Sequence, residues 1–237
     1  MKRTIVFYLI TVPLIFGCHF KSHGDESFSD NEFSNKLIGC YNEDSGVHKI
    51  RLFITSPAKE SVELSLWSGT DHLITVDTTV SDSAATSIQG NWQSNTDDVS
   101  YKFTFYFAPS DTDHIKVAWD SVWAGPAVVK SYTLQRKIFT YSPDWGDYPQ
   151  ASQRLLVDSD VNNVYKEDLE QMRNTIFARH GYCFKDAGWR TVFEYSDWYI
   201  PYSTDVMNDL TNIEKKNISL IKKYEKTAKE DIDFNRQ

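Results

Sequence analysis

From Lys36 to about Arg136 apolar and polar residues alternate with a period of two. Between Val99 and Phe107, the residues Val99, Tyr101, Phe103, Phe105 and Phe107 share one face, while Ser100, Lys102 and Thr104 fall on the other. Ile115, Val117 and Trp119 repeat the pattern, as do Val62, Leu64 and Leu66, and Ile50, Leu52 and Ile54. Alternation of this kind is the signature of strands with one buried face. Turn-forming residues fall between the runs, at Asp44-Ser45-Gly46, Ser56-Pro57, Ser68-Gly69, Pro109-Ser110-Asp111 and Gly125-Pro126. The expectation is an antiparallel meander of about eight short strands, closed as a barrel or folded as a sandwich. Trp67, Trp92, Trp119 and Trp123 would either fill its interior or line a cavity for a small apolar ligand. The absence of strand–helix alternation and of a Gly-rich phosphate loop excludes a nucleotide-binding α/β fold.

The period changes after residue 140. Tyr141 to Pro149, with Pro143, Trp145, Gly146 and Pro149, has no period and reads as a linker. Beyond it, Leu169, Met172, Ile176, Phe177 and His180 share a face of a helix spanning about Lys166 to His180. Gly181 follows where a left-handed residue would end that helix, and Arg179 and His180 stand in the last turn, where the helix dipole favours cations. A second helix is expected over Ala187 to Tyr195. A third starts at Thr211, where Thr-Asn-Ile-Glu forms a capping box, with Ile213, Asn217, Leu220, Ile221 and Tyr224 as its stripe. The fold class is therefore α+β: an antiparallel β domain over 36–139, a linker over 140–149, a small helical domain over 150–226 and a charged tail over 227–237.

The N-terminus carries a different signal. Lys2 and Arg3 precede an apolar run from Ile5 to Phe16, broken only by Thr11 and Pro13. A dozen apolar residues suit a signal peptide, whereas a spanning helix needs roughly 20. The run ends Leu14-Ile15-Phe16-Gly17-Cys18, which resembles a bacterial lipobox. The resemblance implies removal of residues 1–17, acylation of Cys18, and a protein held on a cell-envelope membrane, with the outer membrane expected because His19 follows the cysteine. Residues 18–35, with Asp25, Glu26, Asp30 and Glu32 and no apolar period, read as a tether; some fifteen residues would span roughly 20 Å. Cys40 and Cys183 remain as two thiols that an exported compartment would permit to pair.

Composition narrows the function. Aromatic residues make up 14% of the 237 residues and hydrophobic ones 41%, ample for a packed core. The net charge is −8, and losing Lys2 and Arg3 with the leader leaves 23 basic against 33 acidic residues. Such a surface repels nucleic acid, so a DNA or RNA partner is excluded.

The stretch Met172-Arg173-Asn174-Thr175-Ile176-Phe177-Ala178-Arg179-His180-Gly181-Tyr182, followed by Phe184, resembles the YARHG domain, with Phe177 in place of the namesake Tyr. Ser152 to Leu156, Phe193, Trp198-Tyr199 and the Glu214/Asn217/Ile221/Tyr224/Glu225 helix continue the likeness, so that it covers Gln150 to Glu225. It implies a small helical fold in an exported setting and no particular chemistry. Leu37-Ile38-Gly39-Cys40-Tyr41, opening the meander, resembles small lipocalin-like exported domains.

The candidate site is the polar part of this motif: Arg173, Asn174, Arg179, His180, Glu214 and Asn217, with Trp198 and Tyr199 beside it. In the structural reading Arg173 pairs with Glu214 or Glu194, Asn174 or Asn217 bonds backbone between elements, and Arg179 and His180 secure the helix end against the following loop. In the binding reading Arg179 offers its planar fork to a carboxylate, with Trp189, Trp198, Tyr199 and Tyr202 as stacking faces. His180 and Cys183 invite a thiol–imidazole reading, but no Gly-x-Ser-x-Gly elbow or His-Glu-x-x-His helix accompanies them, and no catalytic set, metal site or cofactor is expected. Three functions stay open: a noncatalytic module for an envelope protein, peptide or cell-wall component, a carrier of a small apolar ligand, and a cell-wall hydrolase.

Overall fold

The computed structural model describes residues 36–43, 49–56, 61–79, 87–93, 100–108, 110–122 and 128–229. Cys18, the leader and tether, the Asp44-Ser45-Gly46 and Gly125-Pro126 turns, Val99, Trp123 and the end of the charged tail lie outside them.

Eight antiparallel strands form one sheet: β1 (Gly39–Glu43), β2 (Ile50–Thr55), β3 (Ser61–Ser68), β4 (Asp71–Thr79), β5 (Ser87–Gln93), β6 (Ser100–Ala108), β7 (Asp111–Val122) and β8 (Val128–Arg136). The hydrogen-bonded order is β4-β3-β2-β1-β8-β7-β6-β5, so two meanders are joined where β1 meets β8 with Tyr41 opposite Arg136. This is one sheet rather than the two of a sandwich, and it curls until its two wings share a core. Leu52, Ile54, Leu64 and Leu66 from one wing and Phe103, Phe105, Ile115 and Val117 from the other belong to a single buried cluster around Tyr41. The alternating residues of the sequence are this inner face. The Tyr41 hydroxyl lies within hydrogen-bond distance of the carbonyl oxygens of Leu37 (2.9 Å) and Thr112 (3.0 Å), either of which can accept its single proton, so the polar end of a wholly buried ring is satisfied.

The helical part follows as α1 (Gln150–Gln153), α2 (Asp158–Val161), α3 (Lys166–Arg179), α4 (Ala187–Glu194) and α5 (Asn212–Glu225). The last three are the helices expected from periodicity. Asp186 caps α4 by accepting from Trp189 N (3.0 Å). At α5, Glu214 N donates to Thr211 Oγ1 (3.2 Å) and Thr211 N to Glu214 Oε2 (2.9 Å), which closes the capping box. Helices α3 and α5 run antiparallel, with Leu169, Met172, Ile176, Ile218 and Ile221 in the core between them. Gly181 ends α3 at φ +71°. A side chain is excluded there twice over, because a Cβ would lie 2.7 Å from Tyr202 Cβ and 2.9 Å from the Ile200 oxygen.

The two parts also share a core. Cys40, Phe53 and Trp67, on the outer face of the first strands, pack with Ala178, Phe184, Phe193, Tyr199 and Ile200. Strands β1 to β3 of that wing are buried on both faces. The inner face supports the curled sheet and the outer face supports the helices.

Candidate functional site

The motif residues divide into three groups. The first is a polar cluster where α1, the end of α3 and the start of α5 meet the 141–147 segment. Arg179 is 0% exposed. Its guanidinium donates to the Trp145 oxygen from Nε (2.7 Å), to Ser152 Oγ from Nη1 (3.0 Å) and to the Asp147 oxygen from Nη2 (2.6 Å). The fork expected to meet a ligand carboxylate is thus spent on the chain's own backbone. It secures the segment that precedes the helices, not the loop that follows α3. Burial lowers the pKa of Arg179, opposed by the nearby Glu214 charge.

His180 Nε2 meets Glu214 Oε2 at 2.9 Å, and because a carboxylate accepts, the imidazole carries its proton there. The same oxygen accepts from Thr211 N and Thr211 Oγ1, both at 2.9 Å, while Tyr141 donates its hydroxyl to Oε1 (3.3 Å) and stacks on the imidazole with centroids 4.5 Å apart. Burial alone would raise the pKa of Glu214. The hydrogen bonds from His180, Thr211 and Ser152 outweigh it and bring the group down to about 2. Asn217, on the next turn of α5, donates to the Ala151 (2.8 Å) and Arg154 (2.7 Å) oxygens and accepts from Leu156 N (2.9 Å). It bonds backbone between elements as expected, and fastens α1 to α5.

The second group is an ion pair. Arg173 Nε lies 2.6 Å from Glu225 Oε1, and its Nη1 donates to Asn174 Oδ1 (3.0 Å). The expected partners, Glu214 and Glu194, are elsewhere. In the antiparallel α3/α5 pair the first turn of α5 sits beside the end of α3, so a residue in the middle of α3 faces the end of α5. Asn174 correspondingly bonds its neighbour's guanidinium rather than backbone.

The third group is aromatic. Tyr199 is buried against Phe53 (centroids 6.3 Å) and donates its hydroxyl to the Tyr182 oxygen (2.8 Å). Trp198 is half-buried, 6.3 Å from Trp145 and edge-on to Phe193. Tyr199 is part of the shared core and offers no stacking face. Cys40 and Cys183 are separate buried thiols, not a disulfide, and burial pushes both up to about 12, so the thiolate that nucleophilic chemistry needs is suppressed. His180 accordingly points to Glu214, not to a thiolate. No group of metal-ligating side chains occurs among the described residues.

Two features escaped the sequence reading. One is the polar seam inside the shared core. Arg190 on α4 donates to both Glu63 oxygens on β3, from Nε at 2.6 Å and Nη2 at 2.5 Å, and to the Phe184 (3.0 Å) and Lys185 (2.7 Å) oxygens. Beside it Glu194, 2% exposed, accepts from Trp67 Nε1 (3.2 Å) on Oε2, while its Oε1 has no hydrogen-bond partner. Burial raises Glu194 to about 7, against the hydrogen bonds of Ser65 and Trp67 that favour its charged form. The other feature is a groove of about 600 Å³ where β8 ends. Arg136, Lys137, Ile138 and Phe139 line one side, and Ile200, Pro201 and Tyr202 the other. Phe139 and Tyr202 stack with centroids 5.0 Å apart and form a wall backed by Gly181. Lys137-Ile138-Phe139 breaks the alternation of β8, and that break was the available signal.

No curated protein and no solved structure matches the chain significantly. Residues 146–226, which carry the α3/α5 pair and most of the polar and aromatic groups, match the YARHG domain family, so this third of the chain is similar to that domain.

Proposed function

We propose that this protein is an exported, lipid-anchored and noncatalytic module that binds peptide segments of other envelope proteins. The match to the YARHG family is consistent with an extracellular, peptide-binding kind of module, and no helix among the described residues is long and apolar enough to cross a membrane. The observation that carries the reading is the state of the motif. Arg179, His180, Glu214 and Asn217 are buried, His180 and Glu214 bond each other, and Arg179 and Asn217 are taken up by backbone and Ser152, so the four build a rigid platform rather than expose an acid, base or nucleophile. A hydrolase reading would need His180 open to substrate. A carrier of apolar ligands would need space inside the sheet, where Tyr41, Leu52, Leu66, Phe105 and Ile115 are packed with essentially no exposure. The anchor is the lipid expected on Cys18.

The test is retention. The mature chain with Cys18→Ser, immobilised without its lipid, should hold specific peptides from a proteolytic digest of envelope proteins, with saturation. Retention of no peptide would sink the binding reading, and turnover of wall fragments that disappears in a folded His180→Ala variant would replace it with the hydrolase. Membrane release by Cys18→Ser tests the anchor separately.

A further inference from the structure

Lys137 to Phe139 lie beyond the last paired residue of β8. Their first amide is used, with Lys137 N donating to the Cys40 oxygen (2.8 Å). The backbone groups of Ile138 and Phe139 make no hydrogen bond among the described residues. A segment that continues from a strand with spare amides and carbonyls is a template for another chain. Ile138 is 85% exposed and Tyr202 60% exposed. A lone exposed apolar residue carries no message, but here an isoleucine and a stacked ring pair border one groove.

The charge is as distinctive. The chain carries −8 overall, yet Arg136 and Lys137 stand at the groove, with Arg136 Nε 3.7 Å from Asp113, the acidic lining residue, and Lys137 the cation without a carboxylate beside it in the lining. Both cations are held in place. Lys137 Nζ donates to the Asp197 oxygen (3.0 Å), and Arg136 Nη2 donates to the Tyr41 hydroxyl (2.6 Å) and to the Lys36 oxygen. Fixing a cation before the ligand arrives reduces the ordering cost of binding. The volume falls within the range of sites that enclose a small ligand or a few residues of peptide.

We propose that this groove is the peptide site, and that it takes an extended segment bearing an apolar side chain next to a carboxylate. The inference rests on the peptide-binding reading above and adds its place and chemistry. The peptide backbone pairs with Ile138 and Phe139, its apolar side chain lies on Ile138 and the Phe139–Tyr202 wall, and its carboxylate faces Lys137. The family motif takes part indirectly, because Gly181 leaves room for Tyr202 and Phe139 to stack.

A random heptapeptide library displayed on phage and panned on the mature Cys18→Ser chain tests this. The expected consensus is an aromatic or branched aliphatic residue adjacent to Asp or Glu. The most enriched peptide, synthesised with fluorescein, should bind roughly tenfold more weakly to Ile138→Ser, whose altered side chain is already in solvent. Replacing its acidic residue by the amide should weaken it roughly threefold, with the difference shrinking as salt is raised. Lys137→Glu should reverse that preference, with circular dichroism confirming both variants folded. An enriched peptide indifferent to Ile138→Ser and Lys137→Glu overturns the groove and leaves the binding reading standing. A consensus without an acidic residue overturns the proposed chemistry, and a library that yields no binder overturns both.

Discussion

The two wings of the sheet have the same inner face and opposite outer faces. On β2 the inner residues are Ile50, Leu52 and Ile54, and on β6 they are Phe103, Phe105 and Phe107, all buried in one cluster. Outward, β6 presents Lys102, Thr104 and Tyr106, with Tyr106 45% exposed. Outward, β2 presents Arg51, Phe53 and Thr55, with Phe53 1% exposed and all three buried. A strand of the first kind needs one partner layer and a strand of the second kind needs two. The helical part is that second layer, and Phe53, Trp67 and Cys40 on the nominally polar face are where it sits.

The largest effects should arise at the seam between the layers. Arg190→Ala strands the buried Glu63 carboxylate and is expected to cost about 3–5 kcal/mol, a fall in melting temperature on the order of 10 °C for a chain of this size. Replacing both partners, Glu63→Leu with Arg190→Met, should recover most of the loss by thermal denaturation, since an apolar pair of similar volume needs no charge compensation. Next comes Arg179→Ala, which leaves the Trp145 and Asp147 carbonyls and Ser152 without their donor. About 2–4 kcal/mol is expected by urea denaturation.

Two buried carboxylates give the layers opposite pH responses. Glu194 is raised from 4.5 to about 7 in the folded chain, so its contribution is fully present below pH 4.5 and is lost as pH rises through 7, a change of roughly 3 kcal/mol. Glu214 is lowered from 4.5 to about 2, so its contribution is present above pH 4.5 and is lost as pH falls through 2. Urea melts across pH should show both limbs, with Glu194→Gln flattening only the upper one. Gly181→Ala, which forces a Cβ at φ +71° against Tyr202, should cost about 1–2 kcal/mol or more. Lys102→Ala, on the uncovered face of β6, should change stability by less than about 0.5 kcal/mol.

Local signals made most of the elements legible. The alternation at Phe103, Phe105 and Phe107 gave the inner face, the Thr211–Glu214 box located the start of α5, and Gly181 marked the end of α3. The pairings were not legible, because they depend on how the elements are laid together. Arg190 and Glu63 are 127 residues apart, and nothing near either one names the other. Arg173 was expected to find Glu214 but meets Glu225, an outcome fixed by the antiparallel run of α3 and α5. The groove at Ile138 was missed for the same reason, since one wall comes from the end of β8 and the other from the loop after α4.

The central claim is that the covered wing makes the sheet and the helical part fold as one cooperative unit. Thermal unfolding of the chain from Lys36 onward followed by far-ultraviolet circular dichroism and by tryptophan fluorescence, repeated on Phe53→Ala, tests it most directly. The account predicts coincident transitions from the two probes, and a single transition displaced downward by the roughly 3–5 kcal/mol expected for losing a buried ring. Two separate transitions in the parent, with Phe53→Ala shifting only the sheet's, would contradict it.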